Sequence, residues 1–268
     1  MSKKQKTASG FSALVSAIAI VIALIAGYLI YKFVFGNPNN FVDHNPEAEP
    51  MDGNVFGTVY KGGIIVPFLV AVNLIIIIFS VERFVTLSMA KGKGNIDTFV
   101  TKIKKLLEAK EINSAIAECD KQKGSLANVV RAGLVKYEHI AADNTMDKEQ
   151  KLESLKKELE EATSLELPMM SKNLVILSTC ASIGTLIGLI GTVIGMIKSF
   201  SAMSKGTPDT AQLAIGISEA LINTFFGIFG STVAIIAYNF FSTKIDTMTY
   251  SIDEASFTIV QDFSASHK

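Results

Sequence analysis

Ile183–Phe200 reads IGTLIGLIGTVIGMIKSF. It is apolar enough to lie in a bilayer, yet it carries glycines at 184, 188, 191 and 195 and threonines at 185 and 192. A helix that had only to dissolve in lipid would be better served by Leu and Ile. Placed on a heptad, Ser178, Thr185, Thr192 and Ser199 recur every seven residues, and so do Ala181, Gly188, Gly195 and Ala202. Together they draw one small, partly polar stripe along a helix. Val175, Leu186, Leu189, Ile190, Val193 and Ile197 take the remaining surface.

The rest of the chain sets this stretch in a membrane. Of 268 residues, 49% are hydrophobic, the mean hydropathy is +0.38, and 25 basic residues balance 25 acidic ones. The apolar residues come in four blocks, at 11–35, 62–84, 172–200 and 211–243. Each is long enough to cross ~30 Å of hydrocarbon at ~1.5 Å per residue. The expected fold is therefore all-α: a polytopic membrane protein with four transmembrane helices, some of them extending into a soluble helical domain. The first block follows Lys3, Lys4 and Lys6 and ends in YLIYKFVFGN, without a small-residue cleavage site. It is expected to be a retained span and not a removed signal.

Basic residues orient the spans. Residues 85–171 hold fourteen Lys or Arg, whereas 36–59 hold none and carry Asp43, Glu47, Glu49 and Asp52. This places a cytoplasmic N-terminus (1–10), a cytoplasmic helical domain (85–171) and a cytoplasmic C-terminal tail (244–268). A loop (36–61) and a turn (201–210) then lie on the other side, expected to be the periplasm. The loop, rich in Asn, Pro and Gly, reads as irregular. In the helical domain Phe99, Ile103 and Leu107 recur at helical spacing, as do Leu126, Val129, Val130 and Leu134. From Asp147 the pattern stays helical to Phe200 with Pro168 as its sole interruption, predicting a stalk of roughly 80 Å at 1.5 Å per residue.

The fourth span repeats the small-residue design. Ala220, Thr224, Gly227, Ser231 and Ala234 alternate by four and three along one face, flanked by Glu219, Asn223 and Gly230. The first two spans show no comparable stripe. Two readings stand side by side. Gly, Ala, Ser and Thr are enriched wherever membrane helices approach closely, which would make Gly188, Gly191, Gly195 and Gly227 packing residues. Alternatively both stripes line a hydrated interior. Thr192 and Thr224 each lie about 14 to 20 Å from the intervening turn, at comparable depth. Glu219 is a carboxylate inside an apolar block and should face the interior, or hydrogen-bond to Asn223 or a nearby Ser.

No nucleophile–base pair, phosphate loop or metal spacing is present, so neither an enzyme nor a cofactor is expected. Cys119 and Cys180 lie in unlike settings, and His44, His139 and His267 share no ligand spacing. The lysines of the soluble domain are interspersed with Glu and Asp and read as a solvated surface. No nucleic-acid partner is expected.

At IGLIGTVIGMIKSF and IGISEALINTFFGIFGSTVAIIAYNFF the chain resembles the ExbB/TolQ/MotA family of proton-channel motor subunits, closest to its ExbB-like members. Gly188–Val193 matches the glycine-threonine motif, Gly216–Thr224 the second threonine motif, and Ala237–Asn239 the end of that helix. GSLANVVRAGL and the pair Glu82-Arg83 also fit, and the likeness runs from Gly62 to Asp246. It departs from many ExbB-like members at Thr185 and Val233, where they carry proline, and at Ile194, where they carry tryptophan. The span at 11–35 is additional to the usual three. The resemblance implies a homo-pentamer in the bacterial inner membrane around a dimer of an ExbD-like single-span partner. A membrane aspartate of that partner would carry protons past Thr192 and Thr224, with Thr185, Ser231, Glu219 and Asn223 lining the path. Proton flow would then drive envelope work, TonB-type transport among it, through a TonB-like protein. A TolQ-like or gliding-type stator and a non-conducting oligomeric scaffold are the alternatives.

Overall fold

The computed structural model describes residues 3–143, 145–203 and 210–266, with side chains from Leu14 onward. Most of the turn expected at 201–210 therefore falls outside the described residues, as does His267. Among those described, the chain is all-α, with four helical stretches long and apolar enough to cross a membrane: Leu14–Phe35, Gly63–Glu108, Lys148–Met203 and Thr210–Ser266. It divides into two compact units, Met1–Val81 with Val175–Tyr238, and Glu82–Leu174 with Asn239–Lys268.

In the first unit, α1 (Lys3–Ile30) ends in a π-helical turn, Tyr31–Phe35. The connector that follows has neither α-helix nor strand before Val55, but it is held by local structure. Two 3-10 turns (Pro38–Asn40 and Val42–His44), a Phe41–Pro50 bridge and a short helix α2 (Val55–Tyr60) order it. The Asn residues that look like loop formers are the reason. Asn37 and Asn54 each accept a backbone N–H at a helical start. Buried Asn40 donates to the carbonyls of Val34 and Phe35 at 2.8 and 3.0 Å and accepts from Asn54 Nδ2.

A 3-10 turn (Gly63–Ile65) leads into α3, Val66–Lys91. Although the first two spans carry no stripe comparable to that of the last two, they meet at small residues. Ala23 is buried and Gly27 lies so close to α3 that a Cβ on it would sit 2.8 Å from Pro67 O and 2.9 Å from Ala71 N. Val66 and Val70 of α3 form an apolar cluster with Val59, against which Ile30, Tyr31 and Phe35 pack as well as Ile222 and Phe226.

The second unit is a water-type helical bundle. It contains α4 (Ile96–Glu108), α5 (Ile112–Gln122), α6 (Gly124–Ala141) and α7 (Lys148–Ser171). The expected apolar faces are the buried ones: Phe99, Ile103 and Leu107 on α4, and Leu126, Val129, Val130 and Leu134 on α6. Asn95 caps α4, and Asp147 with Gln150 closes a capping box on α7. The α5–α6 corner needs Gly124 at φ +85, where a Cβ would also strike the backbone of Gly92.

Two further long helices complete the chain, α8 (Leu174–Met203) and α9 (Thr210–Ser266). The C-terminal part of α9 belongs to the second unit and is helical to Ser266. Its Ile252, Ala255, Ile259 and Phe263 are almost wholly buried, and Tyr137 donates to Asp262 at 3.1 Å. The helix predicted unbroken from Asp147 apart from Pro168 is interrupted elsewhere. Pro168 lies inside α7, and the break comes at Lys172 (ψ 144) and Asn173 (φ 62). Asn tolerates the left-handed region that ends a helix. Beside this break Arg83, fully buried, donates to Met170 O at 3.0 Å and forks onto Glu82.

Candidate functional site

The glycine stripe of α8 faces α9 of the same chain. The two helices run antiparallel in one register. Gly184 lies against Gly227 and Ser231, Gly188 against Asn223 O and Gly227, Gly195 against Gly216 and Ala220. A Cβ on Gly227 would come within 2.7 Å of Gly184 O and 2.9 Å of Gly188 Cα, so neither helix has room for a side chain there. Close backbone approach of this kind is how membrane helices associate, because lipid removes the hydrophobic drive between them. The contacts at these glycines are those of close helix packing. Gly191, set beside them in the sequence, packs instead on the Asn223 side chain.

The hydroxyls form rungs across the same interface. Thr185 donates to Ser231 Oγ at 2.8 Å, and Thr192 Oγ1 contacts Thr224 Oγ1. Each of the latter two also reaches its own helix, Thr192 to Gly188 O at 3.2 Å and Thr224 to Ala220 O at 3.0 Å. A hydroxyl carries one proton. Two protons therefore serve three contacts at this rung. Both threonines are half-buried, whereas the Leu186, Leu189, Val193, Phe225 and Ile228 side chains around them are exposed on the chain's apolar exterior.

Towards the C-terminal end of α8 lies a second polar group. Glu219 is 3% exposed, and the Lys198 ammonium donates to both of its carboxylate oxygens at 2.7 Å. Neither Asn223 nor a serine fills that role, and Lys198 was missed by sequence reasoning. The available signal was that Lys198 and Glu219 are the lone charges within the apolar parts of α8 and α9, and such charges pair. Asn223, fully buried, donates through Nδ2 to Gly62 O at 2.9 Å, while its Oδ1 has no partner among the described residues. The Glu219 carboxylate rests directly on Gly63, whose φ of +77 and lack of a Cβ make room for it.

Other reactive groups are quiet. Cys119 is buried in the α5 core, and burial pushes its thiol up to about 12. Among the described residues no group of three or more His, Cys, Asp or Glu is placed to hold a metal ion.

The fold is thus that of a multi-pass helical membrane protein with a hydroxyl-bearing pair of antiparallel spans. The MotA/TolQ/ExbB proton channel family matches residues 121–254, half of the chain, and the protein belongs to that family. The family is one of proton-channel subunits and not of enzymes. Among its relatives, the Tol-Pal system protein TolQ of Pseudomonas aeruginosa is 24% identical over 162 residues, covering 60% of this chain and 70% of that protein. The biopolymer transport protein ExbB of Pseudomonas putida is 29% identical over 205 residues, covering 74% of this chain and 60% of that one. TolQ of Haemophilus influenzae is 33% identical over 88 residues, or 32% and 39%. The match thus spans less than two thirds of the latter two relatives.

Proposed function

We propose that this chain is a stator subunit of an ExbB–ExbD-type motor in the bacterial inner membrane, coupling protonmotive force to outer-membrane transport or other envelope work. The observation that carries the reading is the Thr192–Thr224 rung. Two hydroxyls from separate spans meet half-buried among small residues, inside the segment that matches a proton channel family. The names ExbB and TolQ among the relatives support a stator role of either the TonB or the Tol type.

In this reading the chains form a homo-pentamer with both termini in the cytoplasm. Thr192 and Thr224 line the pore, with Thr185, Ser231, Asn223 and Glu219 along it. A dimer of a single-span ExbD- or TolR-like partner brings the titrating aspartate, since one rung of hydroxyls supplies no acid of its own. Gly188, Gly191, Gly195 and Gly227 hold the wall together. Replacing Thr192 and Thr224 together by Val keeps the shape and removes the hydroxyls. Proton-dependent work is expected to be abolished while the assembly still co-purifies with its partner. Full activity in that double variant would overturn the pore role.

A non-conducting scaffold is the second reading. It is favoured by the glycine stripe being used up in contacts within one chain. Purification from native membranes separates the two. A co-purifying single-span protein with an acidic membrane residue supports the motor, and its consistent absence supports the scaffold.

A further inference from the structure

The family match begins at residue 121, so it says nothing of α1 or of the connector that follows. Yet a continuous set of contacts runs from that region to the polar group at Glu219. The π-helical end of α1 sets Tyr31 in a stack on Tyr60, with ring centroids 4.7 Å apart, and its hydroxyl donates to Tyr60 O at 3.2 Å. Gly36 lets the Tyr60 ring approach, since a Cβ there would lie 2.6 Å from it. Phe35 stacks on Phe56, and Phe41 meets Tyr60 edge-on. Asn40 ties the end of the π turn to the connector through Val34, Phe35 and Asn54. Lys61 Nζ then donates to the carbonyls of Pro46 and Glu47 at 3.0 Å each and lies over the Phe41 ring.

The next two residues are Gly62 and Gly63. Gly62 O receives the Asn223 amide, and Gly63 receives the Glu219 carboxylate. Along its apolar length α1 is mostly exposed, touching α3 through the small Ala23 and Gly27 positions. Its dense contacts are at this end. Stacked aromatics and buried side-chain hydrogen bonds to backbone restrict a loop far more than chain connectivity does.

We propose that α1 and its connector act as a brace: they hold the Gly62–Gly63 turn on Asn223 and Glu219 and thereby fix that end of the α8–α9 pair. Tyr31 and Asn40 are its positioning residues. The functional consequence rests on the stator reading; the geometric one does not. The pair most sensitive to the turn's position is Gly62 and Ile222, because a Cβ at Gly62 would lie 2.8 Å from Ile222 Cγ2. Gly62 has an ordinary φ of −65, so its backbone accepts cysteine, although the Cβ would meet the Val66 side chain at 2.5 Å and that side chain must turn aside.

The test places Gly62→Cys and Ile222→Cys in the full chain with Cys119→Ser and Cys180→Ser. The rate of disulfide formation is followed under mild oxidant. Adding Tyr31→Ala, which removes the stack and a hydrogen bond, or Asn40→Ala, which removes three hydrogen bonds, is expected to slow cross-linking about fivefold or more. Tyr31→Phe, which keeps the stack and loses only the hydroxyl's bond to Tyr60 O, should fall between Tyr31→Ala and the parent. Proton-dependent work should fall with the cross-linking rate, and trapping the disulfide should return it to the level of the oxidised parent. A residue needed only for folding would not be rescued by a bond made afterwards. Unchanged cross-linking in Asn40→Ala overturns the brace even if Tyr31→Ala does not fold. Lost activity that the disulfide fails to restore overturns its functional role. Failure of the stator reading would leave the cross-linking result intact.

Discussion

The α8–α9 pair and the bundle of α4–α7 are both helical, and they cohere by opposite means. In the bundle, Leu, Ile, Val and Phe leave water, each large side chain contributing about 1.5–3 kcal/mol on full burial. Between α8 and α9 the large residues point outward, and Gly, Ala, Ser and Thr meet in the middle. Lipid is as apolar as Leu, so burying Leu there gains little, and association rests on close backbone contact and shared hydroxyls. The lesson is that one chain uses size where its solvent is water and smallness where its solvent is lipid.

The sharpest way to break this contrast is to put size where smallness is required. Gly227→Leu would drive a side chain into the backbone of Gly184 and Gly188, which cannot yield as a side chain can. The expected result is loss of folded protein from the membrane, read by expression and by size-exclusion profile in detergent. A smaller effect tests the polar end of the pair. Lys198→Met leaves a buried Glu219 without its cation. Removing one partner of a fully buried pair costs ~3–5 kcal/mol; because Lys198 is half exposed, roughly 1–3 kcal/mol is expected. Adding Glu219→Gln should recover most of it in denaturant titration of the solubilised protein, and no recovery would mean that the pair contributes nothing. The smallest change belongs to the bundle. Ile259→Val removes one methylene from a fully buried site and should cost about 0.5–1.5 kcal/mol by thermal melting. A null effect there would mean that this core is looser than water-type packing implies.

The sequence carried a good part of this. Amphipathic spacing marked the faces of α4 and α6, and heptad spacing marked the small stripes of α8 and α9, because period alone decides which side a residue occupies. What period cannot give is partnership across helices. The Lys198–Glu219 pair depends on an antiparallel register that one strip of sequence does not contain. Asn40 and Asn54 looked like loop residues because composition counts them without showing where their amides point. Pro168 is the one interruption the sequence offers, and the sequence leaves open whether it kinks the helix; the break falls at the left-handed Asn173, with Arg83 bonded to Met170 O beside it. Whether Thr192 and Thr224 look into a pore depends on neighbouring chains, which no single sequence displays.

The rung between those threonines has a consequence of its own. If both hydroxyls turn their protons to Gly188 O and Ala220 O, lone pairs confront lone pairs across the contact. If one turns instead to its neighbour, its helix carbonyl keeps only the backbone N–H of its own helix. The site is short by one proton in every arrangement open to it. It is therefore receptive to a group that arrives bearing a hydrogen to donate.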